Sequence, residues 1–75
     1  MFGFNKHPKD DSAARLRMLM AERDINTQEL AYMTGLNRAT ISNIRTGRVK
    51  KPNSDTIHLV ADALGVKPNS IWRDA

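Results

Sequence analysis

Cysteine is absent from the chain, which excludes disulfide staples, thiolate catalysis and any cysteine-based metal site. Histidine is nearly absent too. The two that exist, His7 and His58, lie far apart with no thiol to help them, so no zinc-finger spacing is present. The four glycines are scattered as Gly3, Gly35, Gly47 and Gly65, which leaves no phosphate-cradling loop. No apolar run approaches the ~20 residues of a membrane span, and no apolar stretch follows the start, so the expectation is a soluble, unexported, cytoplasmic chain. A length of 75 residues allows one small domain with a modest core, which disfavours a deep enzyme pocket. Asp55, His58 and Asp62 fall on one face of a predicted helix, but without a nucleophile or oxyanion donors they read as a solvated row. The expectations are therefore no enzyme activity, no cofactor, no metal and no small-molecule ligand.

Negative charge is missing from one stretch in particular. The formal net charge is +4. Between Leu36 and Lys51 stand Arg38, Arg45, Arg48, Lys50 and Lys51 with no carboxylate among them. A one-signed block of this kind is the electrostatic footprint of phosphate contact; a merely basic loop or an anionic membrane patch would share the sign.

What is present around that block is a pair of marked helices. Asn26 can cap a helix with Glu29 reaching back from its third position, and Ile25 can pack on Leu30 across the cap. Gly35 falls where a helix end needs positive φ. Two residues later Asn37 can cap a second helix, Arg38 to Arg45, while Leu36 packs on Ile41. That second helix buries Ile41 and Ile44 and turns Arg38, Ala39, Ser42, Asn43 and Thr46 the other way. The outward face holds no acid and no large apolar group, as direct reading of base edges requires.

The remainder organises itself around these two helices. Residues 1–11 show no helical period and read as a flexible arm; residues 12–75 read as the folded domain. Asp11 or Ser12 caps a first helix reaching about Arg23, with Ala13, Leu16, Leu19 and Met20 inward. Past Gly47, Pro52 stops helical continuation, Asn53 or Ser54 caps another helix, and Ile57, Val60, Ala61 and Leu64 follow core spacing. Gly65 ends that helix, and Pro68 is placed to open a short fifth one, with Val66 able to pack on Ile71.

Leu16-Arg17-Met18-Leu19, Gln28-Glu29-Leu30-Ala31, Gly35, Thr40-Ile41-Ser42, Gly47, Pro52, Asp55-Thr56-Ile57, Ala61 and Ala63-Leu64-Gly65-Val66 together give the chain its resemblance to the lambda-type phage repressor and Cro (Xre) family of helix-turn-helix proteins. The resemblance covers nearly everything after residue 12. It implies an all-α, compact five-helix bundle containing a helix-turn-helix, and a prokaryotic or phage transcriptional regulator, a repressor occupying a palindromic operator on double-stranded DNA. It makes Arg38, Ala39, Ser42 and Asn43 the base readers. Arginine suits guanine O6 and N7, asparagine suits adenine N7 and N6, and Ala39 suits a thymine methyl. Phosphate contacts are expected from Thr27, Asn37, Arg45, Thr46, Arg48, Lys50 and Lys51, together with amides at the start of the second helix. The resemblance also implies a weak homodimer, assembled on DNA through surfaces around the end of the fourth helix and the fifth; Val66, Ile71 and Trp72 put apolar area there, Trp72 being the better candidate for a partner and Ile71 suiting the closure of the core at least as well.

Three departures from the family pattern stand out. Many members place an arginine at the position of Met20 and a glutamate at that of Arg45, clamping the first helix to the third; here both partners are missing. Asp24 stands where glycine is usual, in a turn that is left-handed in the family. Thr34 replaces an aliphatic residue, with a hydroxyl able to bond back to a carbonyl. The rival reading is an antitoxin-type protein-interaction module that also binds DNA.

Overall fold

The computed structural model describes residues 11–73, and among them every regular element is helical. The elements run α1 (Ser12–Glu22), α2 (Thr27–Thr34), α3 (Arg38–Arg45), α4 (Ser54–Leu64) and a single 3-10 turn, Pro68–Ser70. Residues 1–10 of the expected arm lie outside the described residues.

Each α-helix starts on a side-chain cap written in the sequence. Asp11 accepts hydrogen bonds from the amides of Ala13 and Ala14, Asn37 from that of Ala39, and Asn53 from that of Thr56. Asn26 and Glu29 form a reciprocal capping box: Glu29 N–H donates to Asn26 Oδ1 at 2.8 Å, and Asn26 N–H donates to Glu29 Oε1 at 2.9 Å. These bonds satisfy amides that a helix start otherwise leaves orphaned.

The helix ends divide into two kinds. α2 closes at Gly35 with φ 75°, a conformation that costs an ordinary L-residue about 1–2 kcal/mol. α1 closes at Asp24, whose φ of 55° makes it the one non-glycine residue with positive φ among those described. Thr34 fulfils its expected role, its hydroxyl donating to the Leu30 carbonyl at 2.8 Å while accepting from the Leu36 amide at 3.2 Å.

A single core joins the elements: Leu16 and Met20 from α1, Leu30 and Ala31 from α2, Ile41 and Ile44 from α3, and Ile57, Val60 and Leu64 from α4, with Ile71 and Trp72. Leu19, Ile25, Leu36, Ala63 and Val66 pack on its margin. α2 packs on both α3 and α4, α1 packs on α3, and α4 packs on the 3-10 turn. No helix among the described residues is long and apolar enough to cross a membrane.

Two expectations change here. The fifth helix is only one 3-10 turn, because the chain dives into the core directly after it. The Ile71 carbonyl, which a continuing helix would need, instead accepts from Arg15 Nε at 2.8 Å. Ile71 and Trp72, assigned by resemblance to a partner contact, are 0% and 2% exposed within the domain itself. Their apolar area goes into closing the core, and of the three residues assigned to that contact Val66 alone keeps partial exposure.

Candidate nucleic-acid interface

α3 is two turns long, and its two isoleucines decide which way it faces. With Ile41 and Ile44 buried, Arg38 and Ala39 are exposed, and Ser42 and Asn43 sit half-buried on the outward side. The four residues assigned to base reading therefore share the face opposite the core, as the 3.6-residue period requires. Arg38 is the longest donor among them and stands at the first helical position, where a helix entering a groove by its N-terminus first meets base edges.

The turn before α3 places further polar groups on the same side. Asn37 is exposed, and its Oδ1 accepts from the Ala39 amide at 2.7 Å, which leaves its NH2 group as the donor for an outside acceptor. Thr27 is the first residue of α2 and half-buried, beside the amides of that helix start. Tyr32 is 89% exposed, so it does not pack into the core.

The strip after α3 is held in place by backbone closure and by α1. Thr46 N–H donates to the Ser42 carbonyl at 2.9 Å, Gly47 N–H to that of Ile44 at 3.2 Å, and Val49 N–H to that of Asn43 at 3.0 Å. The Thr46 hydroxyl also turns inward, donating to the Ser42 carbonyl at 2.9 Å, so it can meet a phosphate only as an acceptor or after rotating. Arg48, Lys50 and Lys51 are exposed, and Arg45 is half-buried. The Ser12 hydroxyl donates to the Lys50 carbonyl at 3.1 Å, tying the start of α1 to the middle of the basic strip. Gly47 faces α1, where a Cβ added to it would meet that of Ala13 at 3.6 Å, an ordinary packing distance.

The structure thus brings Arg38, Ala39, Ser42 and Asn43 onto one face, and sets Asn37, Arg45, Thr46, Arg48, Lys50 and Lys51 at the two ends of the same helix. Thr27 belongs to the neighbouring helix that packs on it.

Sequence reading missed the arginines of α1. Arg17 Nη1 donates to the Arg45 carbonyl at 2.8 Å, and Arg23 Nε donates to the Leu64 carbonyl at 2.7 Å. With Arg15 on Ile71, three arginines of α1 and its C-terminal cap each hold a backbone carbonyl of another element. Cations favour the carbonyl ends of helices, but nothing in the spacing of the sequence says which helix end they meet. The polar row of α4 also resolves: His58 Nδ1 lies 2.9 Å from the Ser54 carbonyl one turn back, a bond within its own helix.

Known proteins share this arrangement. The Cro/C1-type HTH DNA-binding domain matches residues 15–72. The HTH-type transcriptional regulator PrtR of Pseudomonas aeruginosa is 34% identical over 65 residues, which is 87% of this chain and 24% of PrtR, so the chain spans about a quarter of that relative's length. The crystal structure of the restriction-modification controller protein C.AhdI from Aeromonas hydrophila superposes with a TM-score of 0.76 at 24% identity, covering 84% of this chain and 94% of that one; at this identity the likeness speaks for the fold. With the fold, the capped helix-turn-helix and the family match in agreement, this chain belongs to the Cro/C1-type (Xre) family of helix-turn-helix DNA-binding domains found in transcriptional regulators.

Proposed function

We propose that the chain binds double-stranded DNA sequence-specifically and represses transcription by occupying a palindromic operator. The observation that carries this reading is the union of two features on one side of the molecule: an outward α3 face with no acid, and an acid-free run of five cations from Arg38 to Lys51. α3 enters the major groove and reads bases through Arg38, Ala39, Ser42 and Asn43, while Thr27, Asn37, Arg45, Thr46, Arg48, Lys50 and Lys51 hold the flanking phosphates. The cations supply salt-sensitive affinity common to all sequences, and α3 supplies the choice among them.

Two copies bind together on the two half-sites, so that their α3 helices lie one helical turn apart. With Ile71 and Trp72 inside the core, the contact between copies falls to Val66 and the surface around the end of α4. A contact this small, below the ~1,200 Å² typical of a stable interface, leaves the free protein monomeric at micromolar concentration and lets DNA bring two copies together.

Selection of binding sites from a random pool of duplex DNA tests the whole proposal. The expected result is a two-fold symmetric consensus with half-sites about one helical turn apart. Recovery of no consensus would refute sequence-specific reading, and a single asymmetric half-site would refute the paired arrangement. Titration of the protein against the full site and an isolated half-site then reads the cooperativity directly.

A further inference from the structure

We propose that Arg17, on α1 and outside the reading helix, is a positioning residue that fixes the angle at which α3 presents its base-reading face. The proposal rests on the assignment of α3 as the reading helix. Its ground lies in the last four carbonyls of that helix, which have no partner within it. Those of Ser42, Asn43 and Ile44 accept from the amides of Thr46, Val49 and Gly47, all in the turn that follows. These three bonds close the helix locally and say nothing about where its end sits relative to the rest of the domain. The fourth carbonyl, that of Arg45, accepts from Arg17 Nη1 at 2.8 Å, a bond that reaches from another helix.

The position of this bond decides its effect. Ile41 and Ile44 set the rotation of α3 about its own axis by burying one face. Ile44 lies in the last turn and anchors one side of it to the core, which leaves the carbonyl end beyond it, at Arg45, to be held from elsewhere. Arg17 holds it. Ser12, at the start of the same helix, holds the Lys50 carbonyl at 3.1 Å, and between them Ala13 faces Gly47. One face of α1 thereby grips the end of the reading helix and the basic strip after it. The charge matters as well as the bond: a guanidinium at the carbonyl end of α3 offsets the partial negative charge of that end. Arg17 is exposed, so the bond is not a by-product of burial.

The test compares wild type with Arg17→Met, which keeps a stem but has no donor, and Arg17→Lys, which keeps charge and donors. Dissociation constants are measured for the selected duplex and for a scrambled duplex of equal composition, at several salt concentrations and below each protein's melting temperature. Arg17→Met is expected to lower the ratio of the two constants several-fold, because a last turn free to tilt must be ordered on the selected duplex and not on the scrambled one, and Arg17→Lys to restore most of it. Equal weakening on both duplexes with a shallower salt slope would make Arg17 a plain phosphate contact and overturn the proposal. A lower melting temperature with an unchanged ratio would make it merely structural and would likewise overturn the proposal. Failure of wild type to discriminate between the duplexes would bring down the reading of α3 itself, a result distinct from an Arg17 variant that discriminates as well as wild type.

Discussion

Asp24 closes α1 with the same pair of backbone hydrogen bonds with which Gly65 closes α4. At Asp24 the residue's own amide donates to the Ala21 carbonyl at 3.1 Å and the next amide, of Ile25, to Met20 at 2.9 Å; at Gly65 the matching bonds go to Asp62 at 3.1 Å and, from Val66, to Ala61 at 3.0 Å. Both are Schellman closures, and both residues are left-handed, at φ 55° and 73°. Only one of them has a Cβ to accommodate. Asp24→Gly is therefore expected to stabilise the domain by roughly 0.5 to 1 kcal/mol, the relief at the turn outweighing the extra freedom of glycine in the unfolded chain. Thermal melting should show a rise of about 2–8 °C, and Asp24→Val should move it the other way. A melting temperature unchanged or lowered by glycine would mean the aspartate is held there by something other than the turn.

Base reading by Arg38 and Asn43 predicts position-specific losses. Alanine at either residue should cost about 1–3 kcal/mol on the selected duplex and relax preference at one base pair per half-site. Repeating the site selection with each variant checks this; an intact consensus from both would remove α3 from the groove.

The basic strip predicts a uniform loss instead. Arg48→Ala, Lys50→Ala and Lys51→Ala should each weaken selected and scrambled duplexes alike, and each contacting residue should reduce the slope of log affinity against log salt by about one unit. Three unchanged slopes would place the strip away from the backbone.

Burial of Trp72 turns an expected binding defect into a folding one. A Phe or Trp truncated to alanine in a core costs about 3–5 kcal/mol, against a total stability of roughly 4 to 11 kcal/mol for a domain of this length. Trp72→Ala should accordingly lower the urea midpoint severely and lose affinity for half-sites and full sites together. Loss of cooperativity with half-site affinity intact would instead return Trp72 to the surface between copies.

The parts of this molecule that were legible in its sequence are those governed by near neighbours. Asn26 with Glu29, Asn37 and Gly35 announce their caps and turn within a few residues, and the spacing of Ile57, Val60, Ala61 and Leu64 announces a buried face. The outward set on α3 followed from Ile41 and Ile44 alone. Less legible were facts settled by distant parts of the chain. Trp72, an aromatic beyond the last regular helix, carries no local mark that distinguishes a core residue from a partner contact. Arg17 looks like an ordinary helix cation until the Arg45 carbonyl is brought beside it. The absence of the family's clamp at the positions of Met20 and Arg45 was legible, but not that Arg17 would tie α1 to α3 through a backbone oxygen.

The burial of Ile71 and Trp72 also bears on the order in which the molecule can assemble. Caps and turns of α2 and α3 are local and can form as soon as those residues emerge from the ribosome, yet isolated helices of eight residues are marginal in water. Their lasting order comes from the core, and two of the side chains that seal it are made some twenty residues after Lys51, the last of the residues proposed to touch DNA. A nascent or prematurely stopped chain that ends at Ser70 would carry every one of those residues while lacking the closure that holds them in register. On the proposed assignment of α3, competence to read DNA trails the synthesis of the reading surface itself, and a half-made copy has only its charge with which to hold a duplex.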